Sequence, residues 1–298
     1  MPAAGCANCR APLGGPYCAS CGQRDLPLDP SVRQLATDAA QELFGVDGKL
    51  VSTVSMLSRP GRLTRDYLAG RRAAHVGPVR IYLVCSALLF AAFALQPPNP
   101  TPRAADEFRL LGFVRITAKL GLGSDTLDTP QLSAPERVFL RAARRTQDAL
   151  RSGPERHAQL EARIANILPQ TLFFMVPVYA GVIWLTAPRP RRRYPAHLCF
   201  ALHLHAFAFA ALAAPFGAWA VLKRVATAGN LNAITGVARF AFDAVGVWIA
   251  CYLVVAYRRV YGASWRGTAL RVAGSTAVYA ALFAFAMAAL ALGVLLYG

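Results

Sequence analysis

Five apolar runs dominate the chain beyond residue 78: Val79 to Leu95, Thr171 to Ala187, Leu198 to Leu222, Val237 to Tyr257 and Val272 to Leu296. No water is present in a bilayer core to satisfy an exposed amide, so a crossing segment must close its hydrogen bonds internally, and single runs of this length do so as helices. The first two are short and can extend or tilt. Composition agrees, since 55% of the 298 residues are hydrophobic and only 16% are charged, too apolar for an ordinary soluble chain. The expected fold class is an all-α polytopic membrane protein with about five transmembrane helices.

Ahead of these runs stand two CxxC knuckles, Cys6 with Cys9 and Cys18 with Cys21. Each knuckle can present two thiolates to one ion, and two knuckles complete a tetrahedral Zn2+ site with no open position, so the zinc is structural and the segment reads as a zinc ribbon. Between them Pro12, Gly14, Gly15 and Pro16 suit a tight turn. Gly22 follows the second knuckle, where the absent Cβ lets amides approach the sulfur; Arg10 holds the equivalent place after the first. The rival reading is two disulfides, which needs an oxidising compartment, and Met1 to Gly5 carries neither the basic start nor the apolar core of a signal peptide. Cys85, Cys199 and Cys251 lie inside apolar runs and read as packing residues.

The expected domains are a ribbon over residues 1–25, amphipathic and basic juxtamembrane helices over 26–78, and a membrane domain over 79–298 with a hydrophilic insertion at 96–170. The insertion opens with Pro97, Pro98, Pro100 and Pro102, and later Pro135 to Arg151 and Pro154 to Leu168 read as helices that begin with proline. In the juxtamembrane part, Asp29 or Ser31 can cap a helix reaching about Phe44, and Lys49 to Arg59 forms a second that Pro60 and Gly61 interrupt. Leu63, Tyr67 and Leu68 then share a helix with Arg62, Arg65, Arg71 and Arg72. Two readings stand: apolar groups enter the headgroup boundary while the arginines meet anionic lipid, or a basic helix packs on protein.

The net charge is +17, with 32 Lys and Arg against 15 Asp and Glu. A basic chain of this size could bind nucleic acid, so position must decide. Arg59, Arg62, Arg65, Arg71 and Arg72 precede the first span and Arg80 stands at its start, with only Asp66 among them; Arg189, Arg191, Arg192 and Arg193 join the second span to the third. Arg258, Arg259, Arg266 and Arg271 join the fourth to the fifth, whereas the third-to-fourth connection has only Lys223 and Arg224. The positive-inside rule accounts for this placement without nucleic acid. It puts the amino terminus in the cytoplasm and the carboxyl terminus outside. The cysteines then lie in a reducing compartment, in agreement with zinc.

The ribbon ending Cys18-Ala19-Ser20-Cys21-Gly22-Gln23, the stretches Arg59-Pro60-Gly61 and Tyr67-Leu68-Ala69-Gly70-Arg71-Arg72, and the segment from Tyr194 to Phe207 together resemble a bacterial membrane family known as domain of unknown function 3667. The resemblance covers most of the chain and implies an integral membrane protein with a cytoplasmic zinc ribbon, without an assigned activity. The family pattern tends to place Glu immediately before the first histidine of the last segment, where this chain has Ala196.

His197, His203 and His205 stand near the start of the third span, where ionisable groups are unusual. On a helix His197 and His205 share similar azimuths about 12 Å apart, and His203 points nearly opposite to His205, so no two chelate one metal unaided. Asp243 is the acid within a span, one turn from Arg239. These groups read as neutral histidines bonded to neighbouring helices with an Arg239–Asp243 pair; a proton or ion route and a metal or haem site are the alternatives. The GxSxG, HExxH, GxxxxGK[ST] and GxGxxG signatures are missing. The functional expectation is a membrane-anchored zinc-ribbon adaptor that docks a protein partner beside anionic lipid. A small transporter or ion-conducting protein using the intramembrane His and Asp is the alternative, and a membrane enzyme comes third.

Overall fold

A computed structural model of the chain describes residues 5–25, 31–33, 49–95, 107–110, 114–117, 154–187, 193–225 and 231–297. Two short helices, α1 (Lys49–Leu57) and α2 (Arg62–Leu68), precede α3 (Pro78–Ala94); strands β1 (Glu107–Leu110) and β2 (Val114–Thr117) follow, then α4 (Pro154–Thr186), α5 (Tyr194–Val225), α6 (Leu231–Tyr261) and α7 (Trp265–Tyr297). Segments Ile167–Thr186, Tyr194–Val225, Ala233–Tyr261 and Trp265–Ala291 are long and apolar enough to cross a membrane. Their outward residues include Leu185 at 79%, Phe240 at 75% and Leu270 at 77% exposure. Apolar surface of that kind on long helices requires lipid as its solvent, and the chain is an integral membrane protein.

The first expected span is α3, which has 17 residues. At 1.5 Å per residue it reaches about 25 Å, short of a hydrocarbon core of about 30 Å. Pro78 at its first turn follows the extended Gly77, a start that costs no helical hydrogen bond. The helix from Pro154 and the second span, expected as separate pieces, are one helix of 33 residues. Pro169 and Pro177 lie within it and do not end it, as happens where neighbouring groups replace the lost bond.

The chain divides into two compact units, Met1–Pro97 with Val176–Tyr279, and Pro98–Met175 with Ala280–Gly298. In the first unit α5 is the central helix, and its residues from Pro195 to Phe207 are nearly all buried. Tyr82 of α3 packs on Phe209 with ring centroids 5.7 Å apart, and Phe93 meets Phe216 at 4.4 Å. On the α6 side Phe207 stacks on Tyr252 at 3.6 Å and Phe216 meets Phe242 at 4.6 Å. The short helices are fastened to this core by polar bonds. Thr53, buried in α1, accepts the Val76 amide at 3.0 Å, and the Tyr252 hydroxyl donates to the Leu57 carbonyl at 2.9 Å. Gly61 adopts φ 67, and a Cβ there would sit 2.8 Å from the Ala256 carbonyl oxygen, so α2 meets α6 where only glycine fits.

In the second unit Leu168 and Met287 form a buried pair, flanked by Leu172, Phe283, Leu290, Ala291 and Val294. The insertion also carries an antiparallel hairpin in which Phe108 pairs with Ile116 and Arg109 with Arg115. The sequence reading placed no element at these residues. The alternation Glu107-Phe108-Arg109-Leu110 and Val114-Arg115-Ile116-Thr117 has the period of a strand, a signal the sequence did carry. The expected helix from Pro135 to Arg151, and most of that from Asp29 or Ser31 to Phe44, lie outside the described residues.

Candidate metal centre

The two knuckles fold by the same local bonds. Cys6 donates its amide to Ala11 and Arg10 donates to Cys6, both at 2.8 Å; Cys18 donates to Gln23 at 2.8 Å and Gly22 to Cys18 at 2.9 Å. Each turn therefore closes on its own first cysteine, and bridges Gly5–Pro12 and Tyr17–Arg24 pair the flanks. The geometry requires a left-handed residue after each second cysteine. Gly22 supplies it with φ 69, and Arg10 supplies it with φ 65, at a cost of about 1–2 kcal/mol for a residue with a Cβ.

The sulfurs of Cys6, Cys9, Cys18 and Cys21 all lie within 4.8 Å of one another. Cys6 and Cys21 are 3.7 Å apart and Cys9 and Cys18 are 3.5 Å apart. A tetrahedron with Zn–S bonds of about 2.3 Å has edges of about 3.8 Å. The donor set thus fits one Zn2+ in both spacing and softness. All four are free thiols, with separations far beyond a disulfide bond of about 2.05 Å.

Two of the four thiols are shifted toward the thiolate form. Cys18 sits below the ordinary thiol value because the amides of Cys21 and Ser20 point at its sulfur. Cys21 is lowered by the Gln23 amide and the Asn8 side chain. Cys9 goes the other way: the Ala11 amide favours its thiolate, but hydrogen bonding with the crowded sulfurs, Cys18 first, and partial desolvation push it up to about 12. Four thiolates this close repel one another unless a cation sits among them.

The residue after Gly22 ties the ribbon to the juxtamembrane segment. Gln23 Nε2 donates to the Gly70 carbonyl at 2.6 Å, and Gln23 Oε1 accepts the amides of Arg72 and Ala73, each at 3.0 Å. In the sequence Gln23 stands out only as the last residue of the ribbon motif Cys18-Ala19-Ser20-Cys21-Gly22-Gln23, which gives it no role, because its partners lie about 50 residues further on.

In α2 and the loop after it, Leu63 and Tyr67 are buried at 2% and 6% exposure. Tyr67 packs with Cys199 and, edge to face at 6.1 Å, against His203. Of the two readings of this segment, these apolar groups follow the protein-packed one rather than entering a headgroup layer. Arg62 and Arg65 are exposed, Arg71 is ion-paired with Asp66, and Arg72 lies over the Tyr67 ring at 4.8 Å. His75 is half-buried and its pKa is lowered, first by burial and then by Arg71, against the pull of Asp66.

The three histidines are buried on α5 and each meets its own partner. His197 Nδ1 lies 2.8 Å from the Tyr261 hydroxyl, His203 Nδ1 lies 3.0 Å from Thr64 Oγ1, and His205 bridges the Ala201 carbonyl at 2.8 Å and the Tyr279 hydroxyl at 3.0 Å. They do not converge on one point, and among the described residues the cysteines are the one group of three or more metal-type ligands brought together. Asp243 is exposed on α6, as is Arg239, and the expected ion pair between them is not formed. Thr64, Tyr261 and Tyr279 were not legible as site residues, since they lie far from the histidines in sequence. Among the other cysteines Cys85 and Cys199 are buried, and Cys251 is exposed rather than packed.

Residues 47–90 match a family model described as Protein of unknown function (DUF3667). The matched stretch holds α1, α2, Gly61, the loop that receives Gln23 and most of α3. No curated protein and no solved structure matches the chain.

Proposed function

We propose that this integral membrane protein is an adaptor, in which a zinc-folded ribbon is seated beside the membrane and offers its outer surface to a protein partner. The observation that carries this reading is the Gln23 clasp on Gly70, Arg72 and Ala73. A site closed by four cysteines has no open coordination position and does no chemistry of its own. A segment of this size has too little core to fold without its metal, so zinc loading decides whether the clasp exists. The clasp uses one edge of the ribbon, and Tyr17, at 61% exposure, faces away from the protein interior. The exposed Arg62 and Arg65 meet anionic lipid and keep the module close to the surface. The arginine distribution supports an orientation with ribbon and amino terminus in the cytoplasm and the carboxyl terminus outside, and the resemblance to a bacterial family supports a bacterial cytoplasmic (inner) membrane.

The test places a photoreactive side chain at Tyr17 in the full-length protein and cross-links in intact membranes. A discrete adduct is expected that disappears when Cys6, Cys9, Cys18 and Cys21 become Ser and persists when His203 and His205 become Gln. The opposite pattern, an adduct indifferent to the cysteines and lost with the histidines, would reject the adaptor reading.

A further inference from the structure

Where α6 ends and α7 begins, a cleft of about 340 Å³ opens between two helix ends and α2, lined by Arg65, Arg258, Arg259 and Trp265 around the Gly262 turn. The turn is sharp because Gly262, at φ 67, closes the last helical carbonyls by donating to Arg258 at 2.8 Å, and Ser264 then starts α7 by accepting the Gly267 amide. Three guanidiniums from two elements are thereby held at one mouth. Among the described residues no carboxylate lines it, and the ion pair Asp66–Arg71 lies elsewhere.

Two of the three arginines are held by contacts of their own. Arg258 stacks its guanidinium over the Trp265 ring, 4.1 Å from the centroid. Stacking occupies the planar face and leaves the N–H edges free for an oxyanion. Arg259 is anchored by one nitrogen to the Pro60 carbonyl, which fixes the fork while leaving other donors available. Arg65 joins the lining from α2. Like charges this close are favourable only with an anion among them, and a fork of N–H donors matches phosphate oxygens in particular. Segments Ala233–Tyr261 and Trp265–Ala291 both end here, so the cleft lies at the level where a bilayer presents its headgroups.

We propose that Arg65, Arg258 and Arg259, with Trp265, form a binding site for a phosphoryl group, supplied by the headgroup of an anionic phospholipid. The site does not depend on the ribbon or on its metal. An inorganic phosphate would satisfy the same donors, and the experiment separates the two sources. Full-length protein in zwitterionic detergent is titrated with short-chain phosphatidylglycerol or phosphatidylcholine and the bound lipid is counted by native mass spectrometry. Phosphatidylglycerol should bind at least about tenfold more tightly. Each of Arg258→Gln and Arg65→Gln removes charge-assisted hydrogen bonds and should weaken that binding by roughly tenfold or more. Arg266→Gln removes the same charge just outside the lining and should change it less than about twofold. Because Arg65 and Arg258 lie on different helices, one misfolded variant leaves the other as a measurement, and Arg258→Lys should recover only part of the affinity. Competition by millimolar inorganic phosphate would keep the phosphoryl site with a soluble source, and indifference to phosphate would assign it to lipid. Equal binding of the two lipids, or equal loss in Arg266→Gln, would overturn the proposal in favour of diffuse surface charge.

Discussion

Gln23 and Gly70 are joined by a 2.6 Å hydrogen bond, and the same side-chain amide also accepts from Arg72 and Ala73. One planar group thus satisfies three backbone groups in the loop between α2 and α3, where Gly70 turns the chain with φ 84. Burying those groups unpaired would be costly, so the ribbon acts as part of the juxtamembrane segment's own packing.

Replacing Gln23 by Ala should therefore loosen the loop without removing the metal site. At about 0.5–1.5 kcal/mol per hydrogen bond, the three bonds together are worth roughly 2–4 kcal/mol of docking. Amide exchange at Arg72 and Ala73 should accelerate by at least about tenfold while zinc content stays constant. Gln23→Glu should also fail, because a carboxylate opposes the Gly70 carbonyl. Unchanged protection in both variants would show that the clasp contributes nothing.

Zinc should bind at about one ion per chain, and four-fold Cys-to-Ser replacement should abolish it. The pH dependence has a definite sign. Zinc takes thiolates, and Cys9, pushed up to about 12 in the metal-free ribbon, must give up a proton at neutral pH. Affinity should rise between pH 6 and 8 by about tenfold per pH unit for each proton displaced. Competition against a chromophoric chelator measures it, and a flat profile would exclude thiol ligation.

Gly61 and Gly262 provide a matched pair, with the same φ of 67 but different surroundings. Alanine at 262 meets nothing within 4 Å and bears only the backbone strain, about 1–2 kcal/mol. Alanine at 61 adds a clash with the Ala256 backbone, for a total of about 2–5 kcal/mol. Thermal unfolding in detergent should rank Gly61→Ala well below Gly262→Ala; equal values would mean α2 does not seat tightly on α6.

Topology turns on whether α3 crosses the bilayer. If it does, impermeant thiol labelling from outside should reach Ser124→Cys and Asn230→Cys but miss Ser20→Cys and Tyr194→Cys, in a background where the other exposed cysteines are absent. Labelling of Ser20→Cys and Ser124→Cys from the same side would leave α3 as a helix that dips into the membrane without spanning it.

Much of this protein is local and therefore written in its sequence. CxxC spacing fixes how two thiolates meet one ion, apolar run length fixes which helices can cross a bilayer, and Pro60-Gly61 separates α1 from α2 because neither residue continues a helix well. Other features depend on residues that only folding brings together. The apolar stripe of Leu63 and Tyr67 has the same helical period whether it faces lipid or protein, since both are equally apolar, and only packing on Cys199 and His203 decides between them. The histidines were visible on one helix, but Thr64, Tyr261 and Tyr279 lie on others, and a hydrogen bond between distant segments leaves no period or spacing to read. The arginine cleft is the same case: Arg65 and Arg258 are far apart in the chain, and the crossing of α2 at the Gly262 turn makes a collection of basic residues into one binding mouth.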